Sequence, residues 1–346
     1  MISMIRWLLF PVSLIYASIV WLRNRLYDFN LIKSTSFAIP VVVIGNLAVG
    51  GTGKSPMVEY VLRALGSPKK VAVLSRGYGR KTKGFREVSV ADDAQHSGDE
   101  PLQIKRKFPE ITVAVCENRV KGIQRLLPNS EAVLLDDAYQ HRALKPSFAI
   151  LLFDYQSLLK PILSLPTGNF RDTLRESGRA HCIVITKCPE KLDPEVKFEL
   201  TAKLRKHSRA PLFFSKIGYQ AIRNTANEVI ADAELTQTTA LLVTGIAKPE
   251  PLAQYLKPKL KNLEQLRYSD HHQFTTADLA KIGEQFTKLA TTEKIIVCTE
   301  KDMQRLPTNF LSQYPVYFVP IEQEIMFGEG AVFNQLIKRA FHAPEV

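Results

Sequence analysis

The sequence predicts an α/β protein with a mostly parallel sheet, and three observations predict it. Short apolar runs alternate with helical stretches from residue 41 onward, as βα units do. The runs are apolar at successive positions, the pattern of strands covered on both faces. A glycine-rich segment, IGNLAVGGTGKSP at 44–56, joins the first run to the first helical stretch.

The N-terminus differs from everything after it. Residues 7–22 carry no charge and are bracketed by Arg6 on one side and by Arg23 and Arg25 on the other. As a helix, about 16 residues at ~1.5 Å each reach ~24 Å, short of the ~30 Å hydrocarbon core. Pro11 also lies inside the run. A short spanning helix and a helix lying in the interface are both open, and the cationic flank keeps the following domain cytoplasmic. The phrase RNRLYD after Leu22 offers no small-residue cleavage site, which argues against a signal peptide.

Beyond the connector ending at Pro40, strands are predicted at 41–44, 71–74, 112–115, 132–135, 149–153 and 182–185, with helices at 55–65, 117–127 and 194–206. A second, smaller α/β lobe is predicted from strands at 240–243, 295–298 and 316–319 and helices at 249–256 and 276–290. Two extended pieces, 213–219 and 314–320, bracket that lobe as a two-stranded hinge, and a helix at 330–341 packs back on the first lobe. The chain is thus divided into a membrane-associated helix (1–30), a core (31–212), the smaller lobe with its hinge strands (213–320) and a C-terminal helix (321–346).

Composition narrows the function classes. A chain of 346 residues with 45% apolar content buries a core without staples. Its four cysteines, Cys116, Cys182, Cys188 and Cys298, form no CxxC pair, so neither a zinc site nor a disulfide framework is indicated. The formal charge of +12 and pI near 9.4 attract anions. Zinc-finger spacing, RNP-like aromatics and basic helical arms are absent from the sequence, so nucleic acid is not the expected partner.

The glycine-rich segment has the strand–loop–helix context of a P-loop, which places the larger part among P-loop NTPase-like α/β/α sandwiches. Gly50, Gly51, Thr52 and Gly53 let successive amides converge on phosphate oxygens beside a helix N-terminus. Lys54 then meets the β- and γ-phosphates and Ser55 offers a hydroxyl to Mg²⁺. Ala48 stands where the consensus has its first glycine, which predicts a different backbone path into the loop. AVLLDD at 132–137 ends a strand in Asp136 and Asp137, either of which can complete the metal's coordination. In SGDEP at 97–101, Asp99 is either a helix cap or the acceptor of a proton from an attacking hydroxyl. YSDHHQF at 268–274 holds Asp270 beside His271, an acid that can orient an imidazole, or a plain surface turn. SRGYG and LPTGNFR present Arg76 and Arg171 as weaker candidates for phosphate. ITKCP at 185–189 lacks the Asn and Asp of a guanine-reading loop.

Together these phrases resemble the tetraacyldisaccharide 4'-kinases, the lipid A 4'-kinases of the Gram-negative inner membrane. The resemblance runs through GDEP at 98–101, LDDAYQHR at 135–142, VTGIAKPE at 243–250, SDHHQF and TEKD at 299–302, in addition to the P-loop. It implies ATP and Mg²⁺ as cosubstrate and cofactor, and an acylated disaccharide 1-phosphate lipid as acceptor, phosphorylated on its 4'-hydroxyl. It further implies the cytoplasmic face of the inner membrane, with anionic lipids nearby; a monomer is favoured, and the oligomeric state is left open. Residue by residue it assigns Gly50 to Lys54 to the triphosphate, Ser55, Asp136 and Asp137 to the metal, Asp99 to the hydroxyl proton, and His271 to Asp99 as its partner, oriented by Asp270. Two departures from the family phrases, Ala48 and Asp172 in NFRDT, fall on local geometry. The competing reading is a membrane-bound P-loop switch or assembly factor that phosphorylates no lipid.

Overall fold

The computed structural model describes residues 4–66, 70–270 and 272–342. Among them, fourteen strands fall into two sheets. In chain order they are β1 (Val41–Asn46), β2 (Val71–Ser75), β3 (Arg86–Glu87), β4 (Val113–Val115), β5 (Ala132–Asp136), β6 (Phe148–Asp154) and β7 (Cys182–Thr186). There follow β8 (Leu212–Tyr219), β9 (Arg223–Asn224), β10 (Thr239–Thr244), β11 (Asn262–Arg267), β12 (Lys294–Thr299), β13 (Val316–Val319) and β14 (Ile321–Ile325). The larger sheet has the order β14-β8-β7-β6-β1-β5-β2-β4-β3 and the smaller β11-β10-β12-β13-β9.

β1 lies inside the larger sheet, parallel to β5 on one side and β6 on the other, and all six of its residues are buried. That explains its unbroken apolar sequence: both faces are covered. One face receives Met57, Val58 and Leu62 from the helix Lys54–Ala64, Leu102 from the helix Asp99–Lys107, and Phe333 from the helix Gly330–Ala340. The other receives Ile123 and Leu126 from the helix Arg119–Leu126 and Leu200 and Leu204 from the helix Pro194–Arg205. The result is the α/β/α sandwich predicted from the sequence. Phe333 is fully buried against the rings of Phe213 and Tyr60, at 4.9 and 5.6 Å between centroids. Its truncation to alanine removes contacts worth about 3–5 kcal/mol.

The smaller sheet is covered on one face by Leu252 and Leu256 and on the other by Ile282 and Phe286. The chain leaves the core through β8 and returns through β14, which pair antiparallel from Ser215 opposite Ile325 to Tyr219 opposite Ile321. This corrects the predicted pairing of 213–219 with 314–320. Val316–Val319 is instead β13, parallel to β12 inside the smaller sheet. Pro320 separates the two strands, and its carbonyl accepts the amide of Gln220 at 2.9 Å.

The N-terminal segment forms the helix Phe10–Asp28, with Pro11 in its first turn, where a missing N–H costs nothing. No helix among the described residues is long and apolar enough to cross a membrane, so the spanning alternative finds no support there. The helix lies on the core through a stripe at helical spacing. The hydroxyl of Ser13 donates to Thr167 Oγ1 at 2.8 Å, that of Tyr16 to the carbonyl of Arg171 at 3.1 Å, and Asn24 Nδ2 to both oxygens of Asp172 at 3.0 and 3.1 Å. Asp172, a departure from the family phrase, is therefore the acceptor that seats this helix. The opposite face leaves Leu14, Ile15, Ile19, Trp21 and Leu22 exposed.

Candidate active site

The P-loop follows β1 and opens the helix Lys54–Ala64. Ala48 is buried and extended in an antiparallel bridge to Phe170, and its carbonyl accepts Asn46 Nδ2 at 2.7 Å. The loop does not turn there, so no glycine is needed. It turns at Gly50 and Gly53, whose φ values of 106° and 80° lie in the left-handed region that favours glycine. A Cβ on Gly53 would also stand 2.6 Å from Gln323 Nε2. Pro56 sits in the first helical turn, where its lack of an N–H is harmless.

A second loop braces this one from outside. Thr186 Oγ1 donates to the Thr52 carbonyl at 2.8 Å, and Lys187 Nζ donates to the Gly51 carbonyl. ITKCP, without guanine-reading residues, thus serves as a support for the phosphate loop. Both braces act on carbonyls and take up none of the loop's amides. The Thr52 hydroxyl is buried without a partner.

Asp136 and Asp137 separate sharply although adjacent in sequence. Asp136 ends β5, is 1% exposed, and keeps its Oδ1 unpartnered. Burial, reinforced by Glu100, lifts its carboxyl to about 7. Asp137 adopts φ 48° and turns toward cations: its Oδ1 lies 3.8 Å from Lys54 Nζ and accepts Arg171 Nη2 at 3.1 Å. Arg171 also donates to Asn46 Oδ1. The LPTGNFR loop is itself tied to the P-loop, through the amide of Val49 on the Asn169 carbonyl and that of Arg171 on the Leu47 carbonyl, both 2.7 Å.

The helix Asp99–Lys107 starts after Gly98, whose φ is 89°. Its first two residues diverge. Glu100 accepts the Ser55 hydroxyl at 2.9 Å and Lys301 Nζ at 2.5 Å. Burial would raise its carboxyl, but Lys301, Lys54 and the Ser55 hydroxyl outweigh burial and hold it at about 2. Asp99 is buried and accepts Nε and Nη2 of Arg305. The smaller lobe therefore reaches the core's carboxylates through residues 301 and 305.

His271 lies outside the described residues. Asp270 is exposed and has no hydrogen bond among the described residues. The neighbouring His272 is the one seen with a carboxylate, its Nε2 2.9 Å from Asp278 Oδ2, while its ring stacks on Tyr268. Arg76 is exposed and close enough in charge to Arg119 and His141 to disfavour their protonated forms, behind the larger effect of burial. Arg119, buried and donating to the carbonyl of Asp137 at 3.2 Å, was not singled out from the sequence. Nor were Glu100, Lys301 and Arg305 given roles; the TEKD phrase pointed to the segment but not to its contacts.

Comparison with known proteins agrees with this geometry. A family model described as tetraacyldisaccharide-1-P 4'-kinase matches residues 5–341. The chain is 42% identical to a tetraacyldisaccharide 4'-kinase of Bacteroides thetaiotaomicron, over 96% of this chain and 92% of that one. It is likewise 42% identical to the enzyme of that name from Flavobacterium johnsoniae, over 92% and 93%. Among solved structures, LpxK from Aquifex aeolicus in complex with ATP superposes with a TM-score of 0.77 at 27% identity, covering 98% of this chain and all of the other. With a phosphate loop, paired acids and a second lobe that reaches Asp99 and Glu100, and with this match from end to end, the chain belongs to the tetraacyldisaccharide-1-P 4'-kinase family.

Proposed function

We propose that the protein transfers the γ-phosphoryl group of ATP to the 4'-hydroxyl of a tetraacyldisaccharide 1-phosphate, giving lipid IVA. The observation that carries the reading is the start of the helix Asp99–Lys107: Glu100 is hydrogen-bonded to Ser55 of the phosphate loop, and Asp99 is the residue beside it. A carboxylate able to take the acceptor's proton is thus the chain neighbour of a residue bonded to the phosphate loop, which supports its proposed place beside the transferred phosphate.

The residues fit Mg²⁺ with ATP. Thr52 Oγ1 and Asp136 Oδ1 are buried polar atoms without partners, and the loop's amides leave room where a Cβ at Gly50 would meet nothing within 4 Å. No group of three His, Cys, Asp or Glu among the described residues makes a metal cage. Mg²⁺ needs no such cage, since it binds through one or two carboxylates together with substrate phosphates and water. Ser55, Asp136 and Asp137 would hold it, and it would offset the charge of the phosphates.

In this reading the amides of Gly50 to Lys54 and the Lys54 ammonium bind the triphosphate. Asp99, with His271 as its partner, accepts the proton of the sugar hydroxyl. The new bond joins that oxygen to the γ-phosphorus as the bond to the β,γ-bridging oxygen breaks, and ADP leaves. Arg76 and Arg171 attract the phosphates of substrate or nucleotide. The division of the chain at 30, 212 and 320 makes the smaller lobe the moving part that excludes water.

The exposed apolar face of the helix Phe10–Asp28, with Arg6, Arg23 and Arg25 at its ends, supports docking in the cytoplasmic leaflet of the inner membrane beside anionic lipids. The decisive experiment supplies radiolabelled γ-phosphate ATP and the disaccharide lipid. Label moves to lipid with the native chain, and Asp99→Asn lowers the rate by about 10²–10⁴-fold. Nucleotide hydrolysis with no labelled lipid would instead identify a switch.

A further inference from the structure

Four polar contacts join the helix Asp99–Lys107 of the core to residues 300–305 of the smaller lobe. Two lie at the helix's far end: Lys107 Nζ with Glu300 at 3.0 Å, and Arg106 with Gln304. Two lie at its start: Lys301 with Glu100, and Arg305 with Asp99. Of the four, only the last engages the carboxylate read above as the proton acceptor.

Arg305 is built for that contact. Its side chain is 1% exposed, and its guanidinium is used on two edges. Nε and Nη2 both donate to Asp99 Oδ2, at 2.8 and 2.5 Å, while Nη1 donates to Asp302 Oδ1 and to the carbonyl of Gly245, both at 3.2 Å. Asp302 is in turn fixed by the turn it closes: its amide donates to Thr299 Oγ1 at 3.1 Å and its Oδ2 accepts the Thr299 hydroxyl at 2.7 Å. The planar fork is therefore oriented from behind by groups of the smaller lobe before it grips a carboxylate of the core.

We propose that Arg305 is a positioning residue for phosphoryl transfer: it fixes the Asp99 carboxylate and makes that orientation conditional on the smaller lobe being seated. The inference rests on Asp99 being the proton acceptor. Because Gly245, Asp302 and Arg305 belong to one lobe and Asp99 to the other, movement of the lobe carries the guanidinium away as a unit. Asp99 is then in register only when the site is shut, which couples proton removal to exclusion of water.

The test uses the full chain with labelled ATP and disaccharide lipid, under single-turnover conditions, on Arg305→Met, Arg305→Lys, Asp99→Asn and the double variants. Arg305→Met should lower the transfer rate by about 10²-fold with the KM for ATP within about threefold, since only transition-state alignment is lost. Arg305→Lys, which keeps the charge without the fork, should recover about tenfold of that loss. In the Asp99→Asn background, Arg305→Met should cost no more than about twofold further, because both act on one proton.

A full second loss in that background, or a raised KM with an intact rate, would reduce Arg305 to a staple between the lobes and overturn the proposal. If Arg305→Met does not fold, Arg305→Lys with and without Asp99→Asn completes the same cycle. Unimpaired Asp99→Asn would refute the proton-acceptor reading itself, whereas an inactive Asp99→Asn with multiplicative Arg305 effects would refute only this inference.

Discussion

The phosphate loop and the seam between the lobes handle charge in opposite ways. The loop is contiguous, made from backbone, and braced by Thr186 and Lys187 acting on its carbonyls. The seam is assembled from side chains more than 190 residues apart in sequence, with Asp99, Glu100 and Lys107 meeting Arg305, Lys301 and Glu300. A backbone cradle is ready whether or not the second lobe is in place. A side-chain seam exists only in one arrangement of the two bodies, so it can report that arrangement to the chemistry.

Substitutions on either side sharpen this contrast. Lys54→Ala should have the largest effect, lowering transfer about 10³-fold by removing the charge proposed to meet the γ-phosphate. A retained rate in the labelled-ATP assay would mean that the loop alone does not hold the triphosphate. Lys301→Met takes the ammonium from Glu100 and should cost about tenfold in rate, consistent with a coupling of about 1–2 kcal/mol between lobes. If the loss instead matches that of Lys54→Ala, seam and cradle are not separable.

Thr186→Val removes one brace and should weaken ATP binding by about fivefold, near the ~1 kcal/mol of a single hydrogen bond; calorimetric titration reads it directly. The smallest effect is a pH dependence. Hydrogen bonds from Thr275, followed by that from His272, hold the Asp278 carboxyl down at about 2. A depressed folded value means stability that is present above the ordinary carboxylate range and lost as pH falls toward 2. The melting temperature of the native chain should therefore fall more steeply between about pH 4 and 2 than that of Asp278→Asn. Parallel slopes would remove Asp278 from the lobe's internal supports.

What was legible in the sequence follows the same division. The core strands could be placed because each is a run of buried apolar residues, and the P-loop because its parts are consecutive. β11 escaped notice: as an edge strand reading NLEQLR, it buries none of its residues fully, so little apolar pattern marks it. The sequence does not distinguish the hinge strand, because 316–319 and 321–325 are both extended and differ only in which sheet receives them. Asp136 and Asp137 looked equivalent until a left-handed turn at 137 sent one side chain inward and the other to Lys54. Arg305 carried no signal, since its meaning lies in a partner 206 positions away.

The hinge strands carry one more implication. Tyr219 and Ile321 face each other across an antiparallel pair, which puts the exit and re-entry points of residues 220–320 about 5 Å apart. An insertion whose two ends are neighbours strains nothing in its host. The parent sandwich should close on its own if a tight turn replaces the excised lobe, giving a miniature nucleotide binder in which affinity for ATP is measured without the contacts that complete catalysis.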